Sequence, residues 1–260
     1  MHYFIRGPSE VDLQVKTTIE TLVVKWSQQI TEVLKQDSSK ALQSGNHPTP
    51  FAELAFWEDR VQDLQCIYDQ LNEEKVHKIA NILEQTESTY WPSFRSIFRN
   101  VVASVAEAQD ILAHLKPLKK HLELVRMAKF NELGRYMRPL MHCICLVWGH
   151  SKYYCSAARI IVLLQEICNM LIDMGRQFLG GDSSIFNMDP HEGLAKTSAV
   201  YNGLKLFREL YATHKTKLPV YFDAQNEAKN WDFLPHLVFK RYDKFLERVK
   251  RINVIIRRTN

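Results

Sequence analysis

The chain has 260 residues, of which 46% are hydrophobic and 24% charged, and its formal net charge is +5. This balance is typical of an ordinary folded, soluble protein and excludes neither an enzyme nor a scaffold. Glycine and proline number only nine each. Because tight turns and hairpins depend on positions that favour glycine, this scarcity favours helices.

The cysteines indicate a reducing compartment. They are five in number and lie mostly in apolar stretches, at Cys66, Cys143, Cys145, Cys155 and Cys168. An odd number of thiols in apolar surroundings favours buried free cysteines over a disulfide framework. The sequence shows no secretory signal and no apolar run long enough to cross a bilayer. We therefore expect a cytoplasmic protein without a membrane span.

Apolar residues spaced alternately three and four apart predict helices through the first half of the chain. Pro8 can open the first helix, a break follows over 37–49, and Pro50 opens the second. Their stripes are Ile19, Val23, Trp26, Ile30 and Val33, then Leu54, Trp57, Val61, Leu64, Tyr68 and Leu71. A short helix is predicted over 76–83, and a longer one runs from Pro92 to Pro117, where we expect it to end.

The middle of the chain is the most apolar part. Residues 117–135 are less regular and indicate a short helix or connector, after which Pro139 is expected to open a helix that ends at Trp148. The next helix has the stripe Ile160, Leu164, Ile167, Leu171, Met174 and Phe178. Gly180 and Gly181 are expected to close it.

The last part of the chain contains two further helices. The spacing predicts one over about 191–211, whereas 213–231 has no clear period apart from a short extended piece near 220–222. Pro235 then opens a final helix that is apolar on one face and basic on the rest. Between His236 and Arg258 there are eight Lys or Arg and two Asp or Glu, a balance of +6, so the remainder is near −1.

These stripes predict an all-α fold of elongated, stacked antiparallel helical bundles. We place the main division at a loop near 180–190, giving an N-terminal bundle over 1–180 and a second helical segment over 181–260. Most stripes should be internal core, and the outermost helices are the exceptions that can meet another chain.

Catalytic and metal-binding motifs are missing from the sequence. His142, Cys143 and Cys145 form the main Cys/His concentration, but on a helix the two cysteines point about 200° apart and cannot share an ion. The stretch from Gly193 to Thr197 lacks the long glycine-bounded loop of a phosphate-binding motif. We predict no catalytic residue, no cofactor and no metal in this chain.

The basic final helix leaves two interpretations open. A direct role at an anionic surface, nucleic acid or membrane, is the less favoured one, because the charges alternate with a full apolar stripe and two acids. A basic face that packs on an acidic protein neighbour, or is merely solvated, fits this pattern better.

Two sequence blocks carry a family resemblance. One contains Glu53, Phe56, Trp57 and Arg60, preceded by Trp26 and Ile30; the other contains Trp148, Ser151, Tyr153 and Tyr154, followed by Arg159. In this order and spacing they resemble the N-terminal tail region of dynein heavy chains, most closely the axonemal ones. The resemblance runs from about residue 10 to 180. These eleven residues are our candidate structural and interface positions.

We also expect particular roles for some of these residues. Trp57 should be a core anchor, with Glu53 and Arg60 on flanking faces for polar contacts. Trp148 should end one helix and Ser151 cap the next. Trp26 lies on a helix that can sit at the edge of the bundle and meet a second chain.

The resemblance implies a piece of a much longer motor polypeptide whose beginning need not be a native start. It implies a non-catalytic segment for heavy-chain association, subunit assembly and docking of the motor on the axonemal doublet. Its expected partners are another heavy-chain tail, intermediate and light chains, and docking factors on the doublet microtubule, in the cytoskeleton of a cilium or flagellum. ATP and Mg²⁺ would be bound only in the motor region, outside this chain. The alternatives are an unrelated helical adaptor, a basic membrane-surface protein, or a helical enzyme with an unread site.

Overall fold

A computed structural model describes residues 13–36, 48–180, 185, 187–217, 221–222, 228–229, 231 and 233–259. In this part of the chain the fold is all-α, with eight helices. They are α1 (Leu13–Leu34), α2 (Pro50–Leu71), α3 (Glu74–Gln85), α4 (Trp91–Met127), α5 (Leu133–His150), α6 (Ala157–Leu179), α7 (Pro190–Lys217) and α8 (Pro235–Thr259). The predicted opening of α1 at Pro8 and most of the predicted break over 37–49 lie outside the described residues. No described helix has both the length and the apolar character that a bilayer crossing requires.

Two proline boundaries predicted from the sequence are wrong. Pro117 lies inside α4, which continues to Met127, and Pro139 lies inside α5, which already begins at Leu133 after a 3₁₀ turn over Phe130–Glu132. Each proline removes one backbone hydrogen bond. In α4, the neighbouring Leu115, Leu118, Leu122 and Val125 are fully buried. Their packing offsets that loss, so the helix passes through the proline.

The short extended piece predicted near 220–222 is present at Tyr221 and Phe222, and residue 220 lies outside the described residues. Strands β1 (Tyr221–Phe222) and β2 (Ala228–Lys229) pair antiparallel, with Tyr221 opposite Lys229 and Phe222 opposite Ala228. The helix before this hairpin, α7, reaches Lys217 and is longer than the predicted span of 191–211.

The chain separates into two compact units. Unit 1 comprises 1–41 and 56–109, and unit 2 comprises 42–55 and 110–260. The boundary predicted from the sequence near 180–190 falls inside unit 2, since α6 precedes it and α7 and α8 follow it.

Unit 1 packs the apolar stripes of α1, α3 and parts of α2 and α4. Its buried residues include Val23, Ile30, Trp57, Leu64, Leu71, Val76, Leu83, Phe94, Ile97, Val101 and Val105. Polar contacts tie the first half of α1 to the turn after α3: Lys16 Nζ donates to the Thr86 carbonyl at 3.0 Å, and Ser88 Oγ donates to Glu20 Oε1 at 2.7 Å. These two hydrogen bonds fix the position of α1 along its own axis, relative to the turn after α3.

In unit 2, α6 and α8 are parallel to each other, and α7 is antiparallel to both. Tyr242 of α8 donates its hydroxyl proton to the Leu204 carbonyl at 2.9 Å, whereas Asn253, further along α8, bonds to Thr197 at 2.8 Å, so α7 and α8 are antiparallel. Gly175 of α6 allows close packing, because a Cβ there would lie 3.1 Å from Phe245 and 3.3 Å from Val200. The absence of a Cβ at Gly175 therefore lets the three helices pack closely.

Candidate functional site

A buried acid cluster, formed by Glu53, Tyr154 and Glu166, lies in unit 2. Glu53 is in the first turn of α2, Tyr154 is in the turn between α5 and α6, and Glu166 is in the middle of α6. All three side chains are at most 3% exposed. The Tyr154 hydroxyl donates a hydrogen bond to Glu53 Oε1. The cluster thus joins the two sequence blocks that carried the family resemblance.

Glu166 lies against Glu53 and is protonated at neutral pH. Burial, and then the negative charge of Glu53 and a hydrogen bond to it, raise the pKa of Glu166 to about 10. A protonated Glu166 donates to Glu53, which gives a hydrogen-bond partner to one otherwise unsatisfied oxygen of each carboxyl group. Glu53 thus accepts hydrogen bonds from two donors, the Tyr154 hydroxyl and the Glu166 carboxyl.

The hydrogen bonds of the acid cluster indicate that it holds helices together. Its three groups come from three separate helices or turns, and hydrogen bonds connect them to one another. Within the described ranges, no group of three His, Cys, Asp or Glu side chains is arranged to hold a metal ion. We read the acid cluster as a polar link that fixes the first turn of α2 to α5 and α6.

Arg60 makes a comparable link in unit 1. Arg60 is 8% exposed, and its guanidinium donates to the carbonyls of Val33 and, at 3.1 Å, of Leu34. These carbonyls belong to the last turn of α1, where they have no partner within the helix. Burial lowers the pKa of Arg60, and the nearby acids Asp63 and Glu107 oppose that effect. Arg60 is thus a C-terminal cap for α1.

The helical spacing predicted polar contacts for Glu53 and Arg60 but did not predict their burial. Both are buried, although each does make the polar contacts that were expected. Helical spacing places a side chain on a face but does not say how deeply neighbouring helices cover that face.

The aromatic candidates of unit 1 are buried or half-buried. Trp57 is 7% exposed, and its ring meets the half-buried Phe56 edge-on at 5.2 Å between centroids. Trp26 of α1 is half-buried and lies 5.9 Å from the ring of Phe94. Ile30, one turn later, is 2% exposed. All four residues thus contribute to the packing of unit 1, and Trp26 and Phe56 also remain partly exposed.

The second block forms an aromatic cluster in unit 2. Trp148, near the end of α5, is buried and meets Trp231 edge-on at 5.4 Å. Tyr153 packs edge-on against Tyr154 at 5.0 Å, and the Arg159 guanidinium lies over the Tyr153 ring at 4.8 Å. Such a cation–π contact stabilises the start of α6 against the preceding turn.

The predicted cap at Ser151 is wrong. Ser151 ends α5, where its N–H bonds to the Val147 carbonyl at 3.0 Å, and α6 begins only at Ala157 with Ser156 in the N-cap position. Ser151 is nevertheless fully buried, and its carbonyl accepts the N–H of Cys155 at 3.0 Å. Ser151 therefore shapes the turn that presents Tyr154.

The sequence features considered for metal or phosphate binding have structural roles. Burial raises the pKa of Cys143 to about 11 and that of Cys145 to about 12, so both thiols stay protonated and are poor ligands. Thr197, at the end of the glycine-containing stretch, is buried and donates to the Gly193 carbonyl at 2.8 Å. It also accepts a hydrogen bond from Asn253 at 2.8 Å.

Glu166 and Asn253 are the important residues that the sequence interpretation missed. The sequence contained a signal for both, because each is a polar residue at a core position of an apolar stripe. Glu166 is spaced three and four residues from Leu163 and Met170, and Asn253 is spaced four and three residues from Val249 and Ile256. A buried polar side chain at such a position needs a partner. The partner's identity is set only by the packing of the helices.

Comparisons with known proteins agree with the sequence blocks. The family described as "Dynein heavy chain, N-terminal region 1" matches residues 16–260. Over 241 residues the chain is 44% identical to the "Dynein beta chain, ciliary" of Heliocidaris crassispina, which covers 93% of this chain and 5% of that protein. It is 37% identical over 233 residues to the "Dynein beta chain, flagellar outer arm" of Chlamydomonas reinhardtii, covering 88% of this chain and 5% of that protein.

A more distant relative comes from the same alga. The "Dynein-1-beta heavy chain, flagellar inner arm I1 complex" is 26% identical over 230 residues, or 88% of this chain and 5% of that protein. The chain thus spans about 5% of the length of each of these relatives.

Proposed function

The chain belongs to the N-terminal region 1 family of dynein heavy chains, and from that premise we propose that it is the non-catalytic tail segment of an axonemal dynein. In this role it mediates heavy-chain association, subunit assembly and docking of the motor on the axonemal doublet. The family match over residues 16–260 is the observation that carries this proposal. The two most similar relatives described above have names that place them in cilia or flagella.

The contacts within the units favour a structural role for this segment. The polar groups best suited to chemistry, the acid cluster and Arg60, are used within the units to hold helices together. The proposed partners are another heavy-chain tail, intermediate and light chains, and docking factors on the doublet. ATP and Mg²⁺ are proposed to bind outside this segment, in the motor region of the parent protein.

Reconstitution with axonemal subunits tests the assembly role. The tagged chain is mixed with dynein subunits extracted from axonemes, cross-linked, and the attached peptides are identified by mass spectrometry. We expect cross-links to heavy, intermediate or light chains of dynein. Cross-links only to proteins outside the dynein arm would overturn the proposal. Equilibrium dialysis of the chain against labelled ATP tests the non-catalytic role, since saturable binding would contradict it.

A finer assignment to the outer arm is favoured by one comparison. Within a single alga, identity is 37% to the outer-arm beta chain and 26% to the inner-arm I1 heavy chain, over nearly equal lengths. The chain is therefore proposed to come from an outer-arm heavy chain of the beta type. Axonemes that lack only the outer arms, or only the I1 complex, provide the test. Cross-links to arm subunits should disappear in the first preparation and persist in the second; the reverse would contradict the assignment.

A further inference from the structure

The last helix, α8, presents two chemically different faces. Its apolar stripe is buried within unit 2 and consists of Val238, Phe239, Tyr242, Leu246, Val249 and Ile256. Tyr242 and Asn253 bond to α7, and Arg241 bonds to α6, with its Nη1 atom 2.6 Å from Asn169 Oδ1. The apolar face is therefore committed to the interior and is not available for insertion into a membrane.

The opposite face of α8 is basic and exposed. Lys240, Lys244 and Arg251 lie on it at spacings of four and seven residues, and Leu237, seven residues before Lys244, is 44% exposed. Arg251 pairs with Glu247 at 2.8 Å. Neither Lys240 nor Lys244 forms an ion pair with any residue that the structure describes. Their charges are therefore available to a partner.

A basic cleft lies between this face and α6. It is lined by His236, Leu237, Lys240, Arg241 and Lys244 of α8 and by Gln165, Cys168 and Asn169 of α6, and it encloses about 570 Å³. Gln165 Nε2 donates to the Leu237 carbonyl at 2.6 Å, which fixes one end of the cleft. Burial, and then repulsion by Arg176, lowers the pKa of Arg241, while the nearby Asp173 opposes this effect. The positive charge in the cleft is thus only partly neutralised.

We propose that this basic cleft, Lys240, Arg241 and Lys244 with Leu237 at its edge, binds an acidic helical segment of another protein subunit. Lys240 and Lys244 would pair with carboxylates one helical turn apart, and Leu237 would contact an apolar side chain of the partner. A phosphate backbone would leave Leu237 without such a contact, and a bilayer would need the buried stripe. The inference rests on the proposed assembly function, for which it names the chemistry of one contact.

A charge-reversal pair provides the test. In Lys240→Glu/Lys244→Glu the cleft loses two of its three Lys and Arg side chains, whereas in Lys250→Glu/Arg257→Glu the same change in charge occurs at exposed positions of α8 outside the cleft lining. The probe is a fluorescent helical peptide with Glu on one face and Leu beside it. We expect the cleft variant to bind this peptide about tenfold more weakly, and the control variant to bind it within about twofold of the parent.

Three further measurements complete the test. Melting of both variants should match the parent, and Lys240→Gln/Lys244→Gln replaces the cleft variant if it does not fold. Binding of the parent to phosphatidylserine vesicles and to duplex DNA is measured in parallel. Equal weakening by both variants, or stronger binding to vesicles or DNA than to the peptide, would overturn the inference. Because the peptide assay contains no dynein subunit, a failure here is distinguishable from a failure of the cross-linking test of assembly.

Discussion

The Tyr154 hydroxyl donates a hydrogen bond to Glu53, which lies 101 positions earlier in the chain, and both side chains are buried. The bond connects the turn after α5 to the first turn of α2, and Glu166 from α6 adds a second donor to the same carboxylate. A buried carboxylate is costly unless donors surround it. The two donors therefore hold the first turn of α2 against the turn after α5 and against α6.

Replacement of Tyr154 by phenylalanine should destabilise the chain. The ring would remain, but Glu53 would lose a donor in a buried site, and we expect the free energy of unfolding to fall by about 1.5–3 kcal/mol. Urea denaturation measures this change. Tyr136→Phe, at a half-buried tyrosine of the same unit, should change the free energy by less than about 0.5 kcal/mol. Equal effects of the two substitutions would mean that the Tyr154 hydrogen bond contributes little.

Replacement of Glu166 by glutamine should stabilise the fold more as the pH rises. The pKa of Glu166 is about 10 in the fold against an ordinary 4.5, so the unfolded chain ionises first. The parent therefore loses stability as the pH rises from about 4.5 toward 10. The glutamine keeps a donor to Glu53 and does not titrate. Its advantage should grow by up to about 1.4 kcal/mol per pH unit.

Urea denaturation at several pH values between about 5 and 8 measures this difference. Glu132→Gln, the same change at an exposed position, is the control. If the parent and Glu166→Gln curves ran parallel over this interval, Glu166 would not be protonated in the fold.

Arg60 should be replaceable by neither lysine nor methionine. Its planar fork serves two carbonyls at the end of α1, and an ammonium group cannot reproduce that geometry. We expect Arg60→Met to lower the free energy of unfolding by about 2–4 kcal/mol, and Arg60→Lys by roughly half of that. Arg99→Met, at an exposed arginine of the same unit, is the control.

Hydrogen exchange locates the Arg60 effect. Amides in the last turn of α1 should exchange faster in Arg60→Met than in Arg99→Met, because the capping bonds hold that turn closed. Uniform acceleration across unit 1 would instead indicate a general loss of packing.

Trp57 should behave as a core residue. Because its ring is 7% exposed, Trp57→Ala should lower the free energy of unfolding by about 3–5 kcal/mol. Tyr90, 43% exposed in the same unit, provides the comparison, and Tyr90→Ala should cost less than about 1 kcal/mol. A Trp57→Ala chain with unchanged melting and weakened subunit binding would place this residue at an interface.

Two glycines in unit 2 should respond in opposite directions to alanine. At Gly175 a Cβ would lie 3.1 Å from Phe245, so we expect Gly175→Ala to overpack the site and to cost about 1–3 kcal/mol. At Gly203 the nearest atom would be 3.5 Å away, on Phe130. Gly203→Ala should therefore gain about 0.5–1 kcal/mol from helix propensity. Thermal melting of the two variants measures the direction of each change. Stabilisation by both substitutions would mean that the helices around Gly175 can separate slightly.

The amino-acid sequence by itself determined the helical class of the fold and the family to which the chain belongs. The three-four spacing identifies one apolar face for each helix, and Pro50 and Pro235 begin helices where the sequence indicates. The two blocks around Trp57 and Trp148 identified the family, which the comparisons confirm over residues 16–260. These features depend on residues close together in the chain, so a single sequence contains them.

Only the tertiary structure decided how distant groups pair and what each proline does. Pro117 and Pro139 both remain inside helices, and around Pro117 buried neighbours compensate for the lost hydrogen bond. Glu53 and Arg60 became buried, and Glu166 became neutral, because helices from remote parts of the chain cover them. Spacing gives the direction of a side chain, but its burial, its partner and its protonation depend on which helix packs on that face.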